Sequence, residues 1–163
     1  MLFQYCYPID QLILKVKFSS TLQSLIITQT IGKLFASTLA TYYLNRARPQ
    51  VIIPVPLHAK RLTERGYNQT LEIAKPIAKK LATPIDKLSI RRIKNTTPQA
   101  RLDAKSRVNN VKGAFQAADK LLYYKHLAVI DDVITTGSTI KEVCSTLAPL
   151  KPNQIDIWCL ASN

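Results

Sequence analysis

The chain reads as an α/β protein built on a parallel sheet with helices on both faces. Three observations predict this. Two compact apolar runs, Val51 to Val55 and Leu127 to Ile130, have the composition of strands buried on both faces. Each is followed by a polar loop and then by a segment with helical periodicity, at 68–81 and 138–147. A further alternating run, Ile155 to Leu160, supplies a last strand. Strands that alternate with helices form parallel sheets, and such sheets bind ligands beyond the carboxyl ends of their strands. The loops after Val55 and after Val133 therefore belong to one edge.

Along the chain, Tyr5 to Phe18 alternates loosely and fits either a strand or a short helix. Residues Thr21 to Leu44 place Leu22, Leu25, Ile26, Leu34, Phe35, Leu39 and Tyr42 at helical spacing, interrupted by Gly32. The segment Asn68 to Leu81 predicts a helix with Leu71, Ala74, Ile77, Ala78 and Leu81 inward. Pro76 within it predicts a kink or a break, since an interior proline costs about 3 kcal/mol. Residues 91–112 are polar and basic and predict a mobile arm, with a short strand at Ala114-Phe115. The helix over Ser138 to Leu147 turns Ile140, Val143, Cys144 and Leu147 inward.

A length of 163 residues with 47% hydrophobic content fits one domain with its own core. No run of 18 apolar residues predicts a membrane span, and the N-terminus does not read as a signal peptide. Cys6, Cys144 and Cys159 stand far apart, which argues against a zinc site or a disulfide framework and for a cytoplasmic protein. The net charge of +13 is local: residues 46–125 hold 18 of the 23 Lys and Arg but 5 of the 10 acids, and the rest of the chain is neutral. Such a field attracts polyphosphate or nucleic acid without choosing between them.

The chemistry concentrates in Leu127 to Thr139. An apolar strand delivers Asp131 and Asp132, and the hydroxyl-rich loop Thr135-Thr136-Gly137-Ser138-Thr139 opens a helix. N–H groups at a helix start are unpaired donors and bind phosphate. Two carboxylates suit ribose hydroxyls or a hydrated Mg²⁺. The loop after the first strand carries Pro56, Leu57 and His58, then Lys60 and Arg61, then Arg65-Gly66-Tyr67-Asn68-Gln69. Arg65 and Asn68 suit diphosphate oxygens, although Asn68 equally suits the cap of the next helix. His58 is either a base or a solvated loop residue. The arm carries Arg101, Lys105 and Arg107, placed either to fold over a bound diphosphate or to contact nucleic acid.

The pattern of an apolar strand, two acids and a T-T-G-S-T loop resembles the motif of type I phosphoribosyltransferases, which bind phosphoribosyl diphosphate (PRPP). The full set P-V-P-L-H, R-G-Y-N-Q, T-P-Q-A-R-L, R-V-N-N-V-K-G-A-F and I-D-D-V-I-T-T-G-S-T, in this order, resembles the ComF competence family over nearly the whole chain. The resemblance implies a phosphoribosyltransferase-like domain over 1–163, with an N-terminal hood and helix in 1–45 and the basic arm at 91–112. It implies PRPP with Mg²⁺ as ligand, and a role in natural transformation that handles incoming single-stranded DNA; a third reading is a scaffold whose long N-terminal helix docks a DNA-uptake or helicase partner. Asp131 and Asp132 then form the catalytic pair on the ribose, and Thr135, Thr136, Gly137, Ser138 and Thr139 hold the 5′-phosphate. Pro56, Leu57, His58, Arg65, Asn68, Arg101 and Arg107 take the diphosphate. Lys60, Arg61, Arg91, Arg92, Lys94 and Lys105 contact nucleic acid. ComF proteins commonly begin with a four-cysteine zinc module, which Cys6 alone does not replace, so no zinc is expected in this chain. The alternative is a single-stranded DNA-binding or scaffold protein that uses the fold without turnover.

Overall fold

The computed structural model describes residues 1–18, 22–96 and 109–162. Its main sheet has four parallel strands: β1 (Phe3–Gln4), β2 (Val51–Pro54), β5 (His126–Ile134) and β6 (Gln154–Ser162), in the order β1-β6-β5-β2. Register pairs Pro54 with Ile130 and Asp131 with Cys159. A second, antiparallel pair joins β3 (Ile90–Arg92) to β4 (Phe115–Ala117). The helices are α1 (Ile9–Phe18), α2 (Leu22–Tyr42), α3 (Ala59–Arg65), α4 (Gln69–Leu81) and α5 (Ser138–Leu147). The segment expected as a hood thus supplies an edge strand of the main sheet and one of its covering helices.

Alternation along the strands sorts the core into two layers. Ile52, Ala128, Ile130, Trp158 and Leu160 face α2 and α4. Val51, Ile53, Leu127 and Val129 face α5 and the β3–β4 hairpin. Residues of β2 and β5 are buried on both faces, which is why these strands read as unbroken apolar runs.

Two expectations are corrected by the packing of α2 on α4. The inward face of α2 keeps Phe35 and Leu39 of the expected set, together with Ile31, but Leu22, Ile26, Leu34 and Tyr42 are exposed, while Ser24, Thr28, Gly32 and Ala36 are buried at four-residue intervals. Small side chains along one ridge let two helices approach closely, so size as well as hydropathy sets the face. The second correction is that α4 runs through Pro76 without a break. The ring of Pro76 packs against Gly32, where a Cβ would come within 2.6 Å of Pro76 Cγ and 3.0 Å of the Ile73 carbonyl oxygen. Gly32 and Pro76, each unfavourable in its own helix, are therefore complementary across the crossing.

Of residues 91–112, the structure describes 91–96 and 109–112. Residues 91 and 92 belong to β3, and Lys94 Nζ donates to the Lys112 carbonyl at 2.8 Å, closing the hairpin. Arg101, Lys105 and Arg107 lie outside the described residues. No helix among the described residues is long and apolar enough to cross a membrane.

Candidate functional site

The C-terminal ends of β2 and β5 lie side by side, joined by the bond from Val55 N–H to the Ile130 carbonyl at 2.9 Å. Because successive residues of a strand face opposite ways, Asp131 and Asp132 are divided between the two sides of the sheet. Asp131 follows Leu127 and Val129 toward the side of α5 and the hairpin, and it lines a shallow concavity open to solvent. Asp132 follows Ala128 and Ile130 toward α4 and is only 7% exposed. Its carboxylate accepts from Val133 N–H at 2.7 Å and from Gln69 Nε2 at 3.3 Å. Gln69 is itself buried, and its Oε1 has no hydrogen-bond partner among the described residues.

The rest of the pocket is the turn from Val133 to Ile140, apart from Thr136. Gly137 is the N-cap of α5 with φ +71°, in the left-handed region that glycine enters at little cost. Its carbonyl accepts from Lys141 N–H at 2.8 Å, which starts the helix. Thr136 Oγ1 and Ser138 Oγ are hydrogen-bonded at 2.8 Å, so the hydroxyls of the loop are organised against each other. A carboxylate, several hydroxyls and the dipole of a ten-residue helix thus meet in one small concavity, a donor set for a sugar phosphate. Mg²⁺ fits this set: it binds through one or two carboxylates and phosphate oxygens while keeping water, and Asp131 is the carboxylate at the pocket. Bound there, Mg²⁺ would offset the charge of a diphosphate.

The loop between β2 and α4 is tied down at its ends. Asn68 Nδ2 and Thr70 Oγ1 both donate to the Val55 carbonyl, at 3.2 and 2.9 Å. Asn68 Oδ1 accepts from Thr70 N–H at 3.1 Å as the N-cap of α4. Both polar ends of Asn68 are therefore engaged in shaping the loop, and the cap is the role its geometry displays. Tyr67 Oη lies 2.9 Å from Ser24 Oγ, anchoring the loop to α2. His58 caps α3, its Nδ1 accepting from Lys60 N–H at 3.3 Å. Pro56 and Leu57 are half-buried at the same edge, and α3 projects Lys60, Arg61 and Arg65.

Two residues expected on a nucleic-acid surface are placed differently. Arg92 shares the inward side of β3 with Ile90 and is half-buried, while Arg91 and Lys94 are exposed. The Arg92 guanidinium lies over the Phe115 ring, 5.4 Å from its centroid, and donates to Thr96 Oγ1. Arg61 donates to the carbonyl oxygen of the same Thr96. Burial pushes the Arg92 guanidinium down to about 10, with Arg61 adding to the shift and Asp131 opposing it. Burial also lowers Arg61, and Arg65 adds to that. Arg92 thus belongs to the electrostatic surroundings of Asp131, and Arg61 to those of Arg92. The two-residue period of Ile90-Arg91-Arg92 carried this signal, because a buried Ile90 turns Arg92 inward. Gln69, the last residue of R-G-Y-N-Q, and Thr96, next to T-P-Q-A-R-L, also shape the site, and nothing beyond those motifs marked them.

Comparison with known proteins places the chain. It is 36% identical over 163 residues to competence protein F of Haemophilus influenzae, covering 96% of this chain and 69% of that protein. It is 30% identical over 160 residues to DNA utilization protein YhgH of Escherichia coli K12, covering 96% of this chain and 68% of that protein. The chain belongs to the family of competence protein F and YhgH. Against the YhgH protein of Salmonella typhi the match is 35% identical and covers 69% of this chain and 49% of that protein. No protein-family model matches. Among solved structures, the glutamine PRPP amidotransferase of B. subtilis, in complex with ADP and GMP, overlays with a TM-score of 0.51 at 16% identity, covering 82% of this chain and 26% of that one. The fold of this competence protein F/YhgH family member is that of the type I phosphoribosyltransferases.

Proposed function

We propose that the chain binds PRPP with Mg²⁺ at the β5–α5 edge and serves the handling of incoming single-stranded DNA in the cytoplasm during natural transformation. The single observation that carries the ligand is the pocket formed by Asp131 and the Gly137 turn at the start of α5. The 5′-phosphate lies against the turn and the ribose hydroxyls against Asp131. Asp132 acts from the other side of the sheet, holding Val133 N–H and Gln69. The names of the relatives, competence and DNA utilization, support the cellular role.

Calorimetric titration of PRPP with Mg²⁺ into the wild type and the Asp131→Asn and Asp132→Asn variants tests the reading. Binding is expected in the wild type and is lost in Asp131→Asn. In Asp132→Asn it weakens together with thermal stability. Equal PRPP affinity in all three proteins would contradict it. A second reading, a single-stranded DNA-binding protein without turnover, is favoured by the exposed Arg91 and Lys94 on the hairpin. It predicts binding of oligonucleotide that falls steeply with salt.

A further inference from the structure

We propose that the amino-terminal edge of the main sheet, at the opposite end of the strands from Asp131, is a surface that takes a single-stranded nucleic acid along a row of cations accompanied by exposed tyrosines. The inference rests on the single-stranded DNA part of the reading above only for the natural identity of that strand. Its place on the fold differs from the hairpin cations that the second reading uses.

The loops that lead into β2, β5 and β6 meet at this edge. Residues 43–50, 124–125 and 148–153 contain Arg46, Arg48, Lys125 and Lys151 and no Asp or Glu. The last turn of α4 adds Lys79 and Lys80. All six are exposed, and none forms an ion pair among the described residues. Asp156, at the start of β6, is engaged by Tyr43, His126 and Gln154. Hydrogen bonds join the loops into one surface. Gln50 Oε1 accepts from Lys125 N–H at 2.6 Å and from His126 N–H at 3.1 Å. The Lys125 carbonyl accepts from Asn153 N–H at 2.8 Å and from Gln154 N–H at 3.0 Å. Arg48 Nη1 donates to the Leu81 carbonyl at the end of α4, at 3.1 Å. Neighbouring strands lie about 4.8 Å apart, so the cations at the heads of β2, β5 and β6 stand in a row.

Two exposed rings join the row. Tyr42, at the end of α2, is 51% exposed, and the Arg46 guanidinium lies 4.3 Å over its centroid. Tyr123, two residues before Lys125, is 84% exposed. Capping of helix ends accounts for one nitrogen of Arg46, on the Tyr42 carbonyl, and one of Arg48, but not for Lys125, Lys151 or the rings. A chain that carries a charge on every nucleotide matches separate cations in a row, and exposed rings give its bases a stacking surface. Lys125 is six residues before Asp131, about 20 Å along the strand, so a strand bound here leaves the β5–α5 concavity open.

The test follows the fluorescence anisotropy of a labelled oligothymidylate as protein is added, over a series of salt concentrations. Two double variants each remove two positive charges: Lys125→Gln with Lys151→Asn at the edge, and Arg91→Gln with Lys94→Gln on the hairpin. Asparagine suits position 151, where φ is +51°. Circular dichroism melts check that each variant folds. The edge variant should bind more weakly, and its slope of log affinity on log salt should flatten by about 1.4, twice the value of about 0.7 for one phosphate contact on a single strand. Tyr123→Ala should weaken binding by about fivefold or more, the scale of one lost stack. PRPP affinity should stay within about twofold in the edge and Tyr123 variants. Absence of oligonucleotide binding by the wild type overturns the inference together with the single-stranded DNA reading. Affinity lost in the hairpin variant and unchanged in the edge variant overturns the inference alone, and so does equal loss in both. If the edge double variant does not fold, unchanged affinity in both Tyr123→Ala and Lys125→Gln is decisive against it. A duplex that binds as tightly and ignores Tyr123→Ala overturns the single-strand assignment. Phosphatidylserine vesicles held through Lys125 and Lys151, by a protein that ignores the oligonucleotide, overturn it in favour of a membrane surface. Edge-dependent binding of oligonucleotide in a protein that ignores PRPP supports the inference and refutes the PRPP reading.

Discussion

Replacing Asp156 by Ala removes one acceptor from three donors at once. At the amino ends of β5 and β6, Asp156 receives the Tyr43 hydroxyl, His126 Nε2 at 2.8 Å and Gln154 Nε2 at 2.8 Å. Tyr43 is 3% exposed, and its oxygen accepts in turn from Trp158 Nε1 at 3.2 Å. Gln154 is exposed and regains water, so its loss is small. The Tyr43 hydroxyl cannot, and an unsatisfied buried donor costs about 1–3 kcal/mol. With the part-buried His126 contact added, the expected loss is about 3 kcal/mol. That corresponds to a fall in Tm of about 6–12 °C for a chain of this size. Thermal melts of Asp156→Ala, Tyr43→Phe and the double variant should show a coupling of about 1–2 kcal/mol. The network lies at the opposite end of the strands from Asp131, so PRPP affinity should hold. A Tm within 2 °C of the wild type (roughly the shift expected of a minor surface change), or strictly additive variants, would refute the reasoning. The same group sets an acid limit. Burial pushes the Asp156 carboxyl up, but the hydrogen bonds from Tyr43, Gln154 and His126 outweigh it and hold it below its ordinary value. A depressed carboxyl contributes its full stability above the unfolded value of about 4, and loses it as pH falls through the folded value. The difference between wild type and Asp156→Ala should therefore shrink below about pH 4.

Gly32→Ala gains about 1 kcal/mol of helix propensity but drives a Cβ into Pro76 and the Ile73 carbonyl. Overpacking of about 1–3 kcal/mol should win, lowering the urea midpoint, and a stabilised variant would contradict the close crossing of α2 and α4. Gly137→Ala meets no atom nearer than Ile134 Cγ2 at 3.9 Å, so its cost is backbone strain alone, about 1–2 kcal/mol. It should lower the Tm and weaken phosphate ligands, whereas Gly137→Asn, which tolerates φ +71°, should be milder in a thermal-shift assay.

The strands and the helix after the acidic pair could be read from sequence because their signals are local. Val51 to Val55 and Leu127 to Ile130 are dense apolar runs, and the α5 boundaries follow from the Gly137 turn and the Ile140, Val143, Leu147 spacing. What sequence concealed depends on a partner element. Phe35 and Leu39 of α2 are inward as their spacing predicted, but the close approach of α4 also buries Ser24, Thr28, Gly32 and Ala36 and leaves Leu22, Ile26 and Leu34 outside. Pro76 looked like a helix breaker because the glycine that accommodates it lies 44 residues earlier. In the site, the residues that the motif singles out, Asp131 and the loop, line one concavity, but two adjacent carboxylates on one strand cannot share a face. Arg61 looked like part of a charged surface because nothing local links it to Thr96, 35 residues on, whereas the inward turn of Arg92 is legible from its two-residue spacing to Ile90.

The most direct measurement is an amide ¹⁵N–¹H spectrum of the labelled protein as PRPP with Mg²⁺ is added. Largest shifts at the amides of Thr135 to Thr139, saturating together with those of Asp131 and Val133, are the predicted result. A spectrum in which these amides stay in place while PRPP moves only the exposed basic residues would contradict a phosphoribosyl site at the start of α5.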